Sequence, residues 1–279
     1  MSKDIFRSLG LFVANAIVNF VTTFGIYDER NERIKREIPQ QTITYMNQNQ
    51  IDINSLEFNR VNGKLFAYLK NDTMIGGLFL RNGWYWEYWM LKYLKHYYIP
   101  HTNMIDIGAH IGTSSLLMCD VINTDCTVHA FEPVFYDLCR INIINNNCLN
   151  VKLYPFALGS EKGKVNLSLS KDEPSNFGTA RVGKTENTGD GTVDVARLDD
   201  FNIQNVSVMK IDVEGYELQV LRGGMSTIRR DKPTILIEIH SESLTRYLQS
   251  SEFVELFGLG YNLFKIQEGH DDYILVQRR

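Results

Sequence analysis

Met104-Ile-Asp-Ile-Gly-Ala-His-Ile-Gly112, followed by Val128-His-Ala-Phe-Glu-Pro133, decides the fold. A short apolar run enters a glycine turn, a helical stretch follows, and a second apolar run ends on a carboxylate. This order is that of a doubly wound sheet holding a nucleoside, with backbone approaching the ligand at the glycines and the acid taking the ribose hydroxyls. Gly108 and Gly112 stand four apart, so the tight Gly-x-Gly that makes room for a pyrophosphate is missing. With Asp106 before the first glycine, the pattern suits a nucleoside without phosphates, of which S-adenosylmethionine is the common example.

Working outward, strand and helix alternate from Pro100 to the C-terminus. Strands are expected at 104–107, 127–131, 151–154, 206–211 and 234–239, with helices near 112–120, 135–146, 216–229 and 242–257. Two closing segments, 261–267 and 273–277, flank Gly269-His270-Asp271-Asp272 as a terminal hairpin. A glycine-rich, hairpin-like insertion occupies 159–195. The expected fold is α/β: a Rossmann-like, class I methyltransferase sheet, doubly wound and mainly parallel, with a C-terminal antiparallel hairpin and an N-terminal helical extension. Two domains are drawn, an extension at 1–57 and the α/β domain at 58–279.

The chain has 279 residues, 22% of them charged and 44% apolar, the balance of an ordinary globular protein. A net charge of −4 gives no support for nucleic-acid binding. Cys119, Cys126, Cys139 and Cys148 form no Cys-x-x-Cys pair and are expected as thiols of a reducing compartment. The stretch from Ser8 to Tyr27 is uncharged and long enough to cross a bilayer, but its apolar residues recur at helical spacing between Asn15, Asn19, Thr22 and Thr23. A helix spanning 5–27 that packs, oligomerises the chain or lies on a membrane is preferred to a true span, with the chemistry in the cytoplasm. Residues 28–50 read as a linker or loose helix, 58–80 as a hairpin element, and the aromatic run 84–98 as a helix ending before Pro100.

A second constellation follows the run Val206-Ser-Val-Met209: Lys210-Ile-Asp-Val-Glu-Gly-Tyr-Glu-Leu218. Asp212 and Glu214 are two apart at a strand's carboxyl end, and Glu238-Ile-His240 repeats that spacing on the next strand. Neighbouring strands would let all four converge at the crevice where ligands bind. A general base is the first reading, since an alcohol gives up its proton reluctantly. Helix caps and strand-end ion pairs come second, and a hard divalent ion third. Asp106 could equally cap its turn, and His110 is given no role.

Together these motifs resemble the FkbM family of S-adenosylmethionine-dependent O-methyltransferases over about residues 84–240. Besides the stretches above, Phe156-Ala-Leu-Gly159, Asn176-Phe-Gly178, Val193-Asp-Val-Ala-Arg-Leu-Asp-Asp200 and Val220-Leu-Arg-Gly-Gly224 carry the likeness. The resemblance implies cofactor contacts at Asp106, Gly108 and Glu132, with Asp212 and Glu214 toward the acceptor; Gly112 and Ala157 are also expected at the cofactor, and His240 with the acids at the acceptor. It implies a small-molecule acceptor hydroxyl, most plausibly on a sugar. Such proteins usually carry Asn where this chain has His110. The rival readings are a nicotinamide-dependent oxidoreductase, against which the absent Gly-x-Gly-x-x-Gly counts, and a non-catalytic scaffold docked by its N-terminal helix.

Overall fold

The computed structural model describes residues 26–168, 181–183, 192–266 and 271–277. In chain order the elements are α1 (Ile26–Lys35), α2 (Gln40–Gln48), β1 (Leu56–Val61), β2 (Lys64–Leu69), α3 (Met90–Tyr97), β3 (Asn103–Ile107) and α4 (Thr113–Cys119). There follow β4 (Val128–Phe131), α5 (Tyr136–Asn145), β5 (Val151–Tyr154), β6 (Ala157–Leu158), β7 (Gly163–Ser168), β8 (Arg181–Gly183) and β9 (Thr192–Ala196). The chain closes with β10 (Val206–Ile211), α6 (Glu217–Gly223), α7 (Met225–Asp231), β11 (Thr234–Glu238), α8 (Leu244–Leu248), α9 (Ser251–Gly258), β12 (Tyr261–Lys265) and β13 (Asp272–Gln277).

Seven strands make the main sheet in the order β12-β13-β11-β10-β3-β4-β5. β13 is antiparallel to both its neighbours, and the other pairings are parallel. The expected class I methyltransferase sheet with its closing hairpin is therefore present. Strand alternation divides the core between two faces. Met104, Val128, Val208 and Leu236 pack toward α4, α5 and the β1–β2 hairpin. Ile105, Ile107, Met209, Ile235 and Ile237 pack toward the helices that follow β10 and β11. The insertion forms a separate sheet in the order β6-β9-β7-β8.

Several expectations need correction. Residues 28–50 take the helical reading rather than the linker, as α1 and α2: Ile34, Ile38 and Met46 are buried in the first core, and Asn31 Oδ1 accepts from Phe58 N at 2.9 Å. Their burial brings apolar side chains from before and after residue 57 into one core. The helix expected over 84–98 begins only at Met90, because Glu87 has a left-handed φ of 59° that no helix interior tolerates. The helix expected at 216–229 breaks at Gly224, and that at 242–257 breaks at Ser250, whose side chain caps α9 by accepting from Phe253 N. Cys119 and Cys148 are joined in a disulfide, their Cα atoms 6.1 Å apart, whereas Cys126 and Cys139 are free and buried. The helix proposed at 5–27 lies almost wholly outside the described residues, as does the Asn176–Gly178 loop; among the described helices none is long and apolar enough to cross a membrane.

The β1–β2 hairpin joins the domain through α5. Asn142 accepts from Ala67 N at 2.6 Å and donates to Ala67 O at 2.9 Å and Ile111 O at 2.8 Å. Asn146 treats Leu65 in the same way, accepting from its N at 2.8 Å and donating to its O at 2.9 Å. Two side chains one helical turn apart thus satisfy the free edge of β2, where a buried strand edge would otherwise leave backbone groups unpaired. Asn142→Ala is expected to lower unfolding free energy by about 3 kcal/mol, because it strands buried backbone groups as well as losing its own bonds. Urea unfolding of the two proteins measures this.

Candidate active site

The turn after β3 is wound backward. Gly108, His110 and Gly112 have φ of 80°, 50° and 90°. A Cβ on Gly108 would lie 1.7 Å from the carbonyl oxygen of Asp212, so only glycine lets this turn press against the end of β10. Asp212 N in turn donates to Ile107 O at 3.0 Å. The two motifs, about a hundred residues apart in sequence, are in backbone contact.

Glu132 pins the turn from the other side. One carboxylate oxygen accepts from His110 N at 2.8 Å, and the other accepts from Val134 N at 2.7 Å and Phe135 N at 2.9 Å. Burial pushes its carboxyl above the usual range, while these amides pull it back. Asp106 is fully buried, with Oδ2 accepting from Ser114 Oγ at 2.7 Å and Ser115 Oγ at 2.5 Å in the first turn of α4. Its Oδ1 is buried without a partner. A buried carboxylate oxygen left open is costly, and it marks a place for a ligand's donor. His110 packs edge-on to Phe135 with both ring nitrogens buried and unpartnered; burial lowers its pKa to about 4, so it is neutral at pH 7.

Register assembles the rest. Lys210 pairs across the sheet with Asp106, and Glu238 pairs with Asp272. Because alternate residues share a face, Asp106, Lys210, Glu238 and Asp272 form a row on one side of four adjacent strands. Glu87, from the turn before α3, joins them: its Oε2 lies 3.8 Å from Lys210 Nζ. Lys210 Nζ also reaches Asp212 Oδ2 at 3.0 Å and Gly108 O at 3.5 Å. Glu87, Trp89, Lys210, Asp212, Glu238 and Asp272 line one cleft beside the turn.

The acids of this cleft titrate apart. Burial works against the charge of Asp212, but the Lys210 ammonium and a hydrogen bond from Glu238 hold its carboxyl below the usual range. Burial, then the charges of Asp212 and Glu214, push Glu238 up to about 10. Burial likewise raises Glu87 to about 8 and Asp272 to about 6. Lys210 rises well above its ordinary value despite burial, because Asp212, Glu87 and Asp106 surround it.

Of the residues picked from sequence, Asp106, Gly108, Gly112 and Glu132 build the turn, and Asp212 abuts it. Glu214 is held near His240, Oε2 to Nε2 at 3.6 Å, with Asp271 3.7 Å from the other ring nitrogen. Glu214, Glu238 and His240 bring one donor atom each within 4.8 Å of one another, a spacing a divalent ion could use. Ala157 lies in β6, packed with Val193 and Val195 in the small sheet. Sequence reasoning assigned nothing to Glu87, Lys210 or Asp272. A lysine inside the apolar run 206–211 was a usable signal, since a buried strand ammonium requires carboxylates around it. Nothing local betrays Glu87, which reaches the cleft through a backbone turn.

The family model described as Methyltransferase FkbM domain matches residues 106–261, more than half of the chain. Methyltransferase 1 of Beauveria bassiana is 29% identical over 143 residues, 43% of this chain and 57% of its own length. Hexuronic acid methyltransferase AglP of Haloferax volcanii is 27% identical over 140 residues, 49% of this chain and 55% of its own. The chain thus spans little more than half the length of these curated relatives. A crystal structure of Methyltransferase FkbM from Methylobacillus flagellatus aligns over 66% of this chain and 50% of its own, at 19% identity and a TM-score of 0.42. The chain belongs to the FkbM methyltransferase family.

Proposed function

We propose that this methyltransferase moves a methyl group from S-adenosylmethionine to a hydroxyl of a small, sugar-like molecule. The observation that carries the reading is the backbone contact between Gly108 and Asp212, which puts a nucleoside-type turn and a cleft of acids into one crevice. The residues suit such a donor. Asp106 offers a buried oxygen with no partner, and Glu132 presents a carboxylate at the end of the next strand. The tight Gly-x-Gly that would make room for a pyrophosphate is missing from the turn, which argues against a dinucleotide. When bound, S-adenosylmethionine supplies a methyl group on a positively charged sulfur.

Glu132 would hold the ribose, and Asp106 with the 108–112 turn would hold the remainder of the donor. Asp212, kept ionised by Lys210, accepts a hydrogen bond from the acceptor hydroxyl and orients its oxygen. Its depressed pKa makes it a poor final resting place for the proton. Glu214 and His240 stand beside Glu238, which lines the cleft. The sugar-type acceptor is supported by Trp89 in the lining of the cleft and by acids suited to hydroxyl donors. A relative named for hexuronic acid methylation accords with it.

Calorimetry should show S-adenosylhomocysteine binding to the wild-type chain and NADH failing to bind; the reverse would sink the proposal. Glu132→Ala is expected to lose that binding. Asp212→Asn is expected to keep it within about threefold while turnover on a panel of methyl glycosides falls about 100-fold or more. Because the 214–238–240 cluster is not assigned an ion, turnover after exhaustive chelation should match that of the untreated protein; a loss restored by a divalent cation would show that the cluster works loaded.

A further inference from the structure

We propose that Glu87 is the general base of the transfer, taking the proton of the acceptor hydroxyl inside the cleft it shares with Lys210 and Asp212. The inference rests on the methyl-transfer reading and goes further, since Glu87 lies outside the matched family segment 106–261 and no motif points to it.

Its placement is built. The φ of 59° at Glu87 is rare for a residue with a Cβ, and such conformations persist where the surroundings enforce them. Those surroundings are visible on both flanks. The Tyr85 hydroxyl donates to Thr113 O at 2.9 Å, and Trp86 packs edge-on against Phe79. On the other side Met90 N donates to Glu87 O at 2.8 Å, and the Met90 side chain is buried. The turn thereby delivers a carboxylate, 9% exposed, to the lining of the cleft, 3.8 Å from the Lys210 ammonium.

The charged groups facing it come from every neighbouring element. Lys210 and Asp212 face it from β10 and its end, Asp106 from β3, and Asp272 from β13, while Glu238 on β11 shares the cleft and Tyr85 stands on its own segment. Burial raises its pKa first, Lys210 opposes this, and Asp212, Asp272 and Asp106 add to it, leaving it near 8. Asp212 is too acidic to keep a proton, and Glu238 stays protonated through neutrality. Glu87 and Asp272, the latter raised to about 6, titrate nearest working pH, where a general base is most effective, and of the two Glu87 is the one held 3.8 Å from the Lys210 ammonium.

In the step, the hydroxyl oxygen bonds the methyl carbon while the carbon–sulfur bond breaks with its electron pair going to sulfur. The hydroxyl proton passes to a Glu87 oxygen and leaves to water with product release. The base must be ionised, so the rate should climb with pH through about 8 and then level. The test compares wild type, Glu87→Gln and Glu87→Asp with radiolabelled S-adenosylmethionine and a panel of methyl hexopyranosides. Glu87→Gln should lose about 100-fold or more in kcat together with the alkaline rise, and Glu87→Asp should restore part of both. S-adenosylhomocysteine affinity should stay within about threefold, which separates a lost base from a damaged donor site. Independently of activity, carboxyl-labelled glutamate NMR should show one signal titrating near pH 8 that Glu87→Gln lacks. An active wild type with an equally active Glu87→Gln, or the absence of that signal, overturns this inference alone. A wild type that methylates nothing in the panel overturns the methyl-transfer reading and this inference with it.

Discussion

One buried ammonium organises the cleft. Lys210 enters from the carboxyl end of β10 with its side chain almost wholly removed from water, and removal from water alone would drive off its proton. The charge stays because Asp212, Glu87 and Asp106 converge on it from three different segments. The dependence is mutual. Without the ammonium, these carboxyls would face one another in a weakly screened interior, where like charges at such distances cannot all remain ionised. With it, the protons distribute unequally: Asp212 ionised, Glu238 protonated and bonded to Asp212, and Glu87 between them. A row of acids chemically alike becomes a set with separate capacities, through the placement of one cation.

The architecture was legible wherever apolar runs and glycines carry it. β5 and β10 fall at their expected bounds, the others within a residue or two, because hydrophobic alternation with helices permits few arrangements. Helix breaks were less legible: Gly224 and Ser250 interrupt long apolar patterns without altering their period. The turn acids could be read because two short motifs hold them in fixed relation to a glycine loop. The convergence of Asp212, Glu214, Glu238 and His240 needed only that β10 and β11 be neighbours, which the parallel register shows. Glu87 could not be read, since its position depends on a left-handed residue inside an aromatic run that favours helix by composition. The asparagines of α5 show the same limit: Asn142 and Asn146 look like ordinary polar helix residues until β2 is laid beside them.

That hairpin has a larger part than its separation in sequence suggests. β1, β2 and the segment leading into α3 precede the matched family region, yet they cover the same sheet face that carries Asp106 and Lys210. Phe66 packs edge-on against Tyr85, whose hydroxyl is fixed to the start of α4. Rigid packing therefore runs from β2 through Tyr85 to the turn holding Glu87. The segment before the sheet acts as the wall of the crevice, and its side chains complete a cleft that the sheet strands only begin.

The charge balance of the cleft also bears on the donor. A sulfonium carries a fixed positive charge that no proton loss can relieve, so it is best received by surplus carboxylate already desolvated and held in place. Around Lys210 the ionised acids outnumber the ammonium even with Glu87 and Glu238 protonated, since Asp212 is held ionised and Asp272 titrates near 6. In the proposed transfer the positive charge at sulfur would disappear as the methyl group departs, and a proton would leave the acceptor. A carboxylate that becomes protonated at that moment loses its negative charge as the neighbouring positive charge vanishes. The net charge of the crevice would then be the same before and after the proposed transfer.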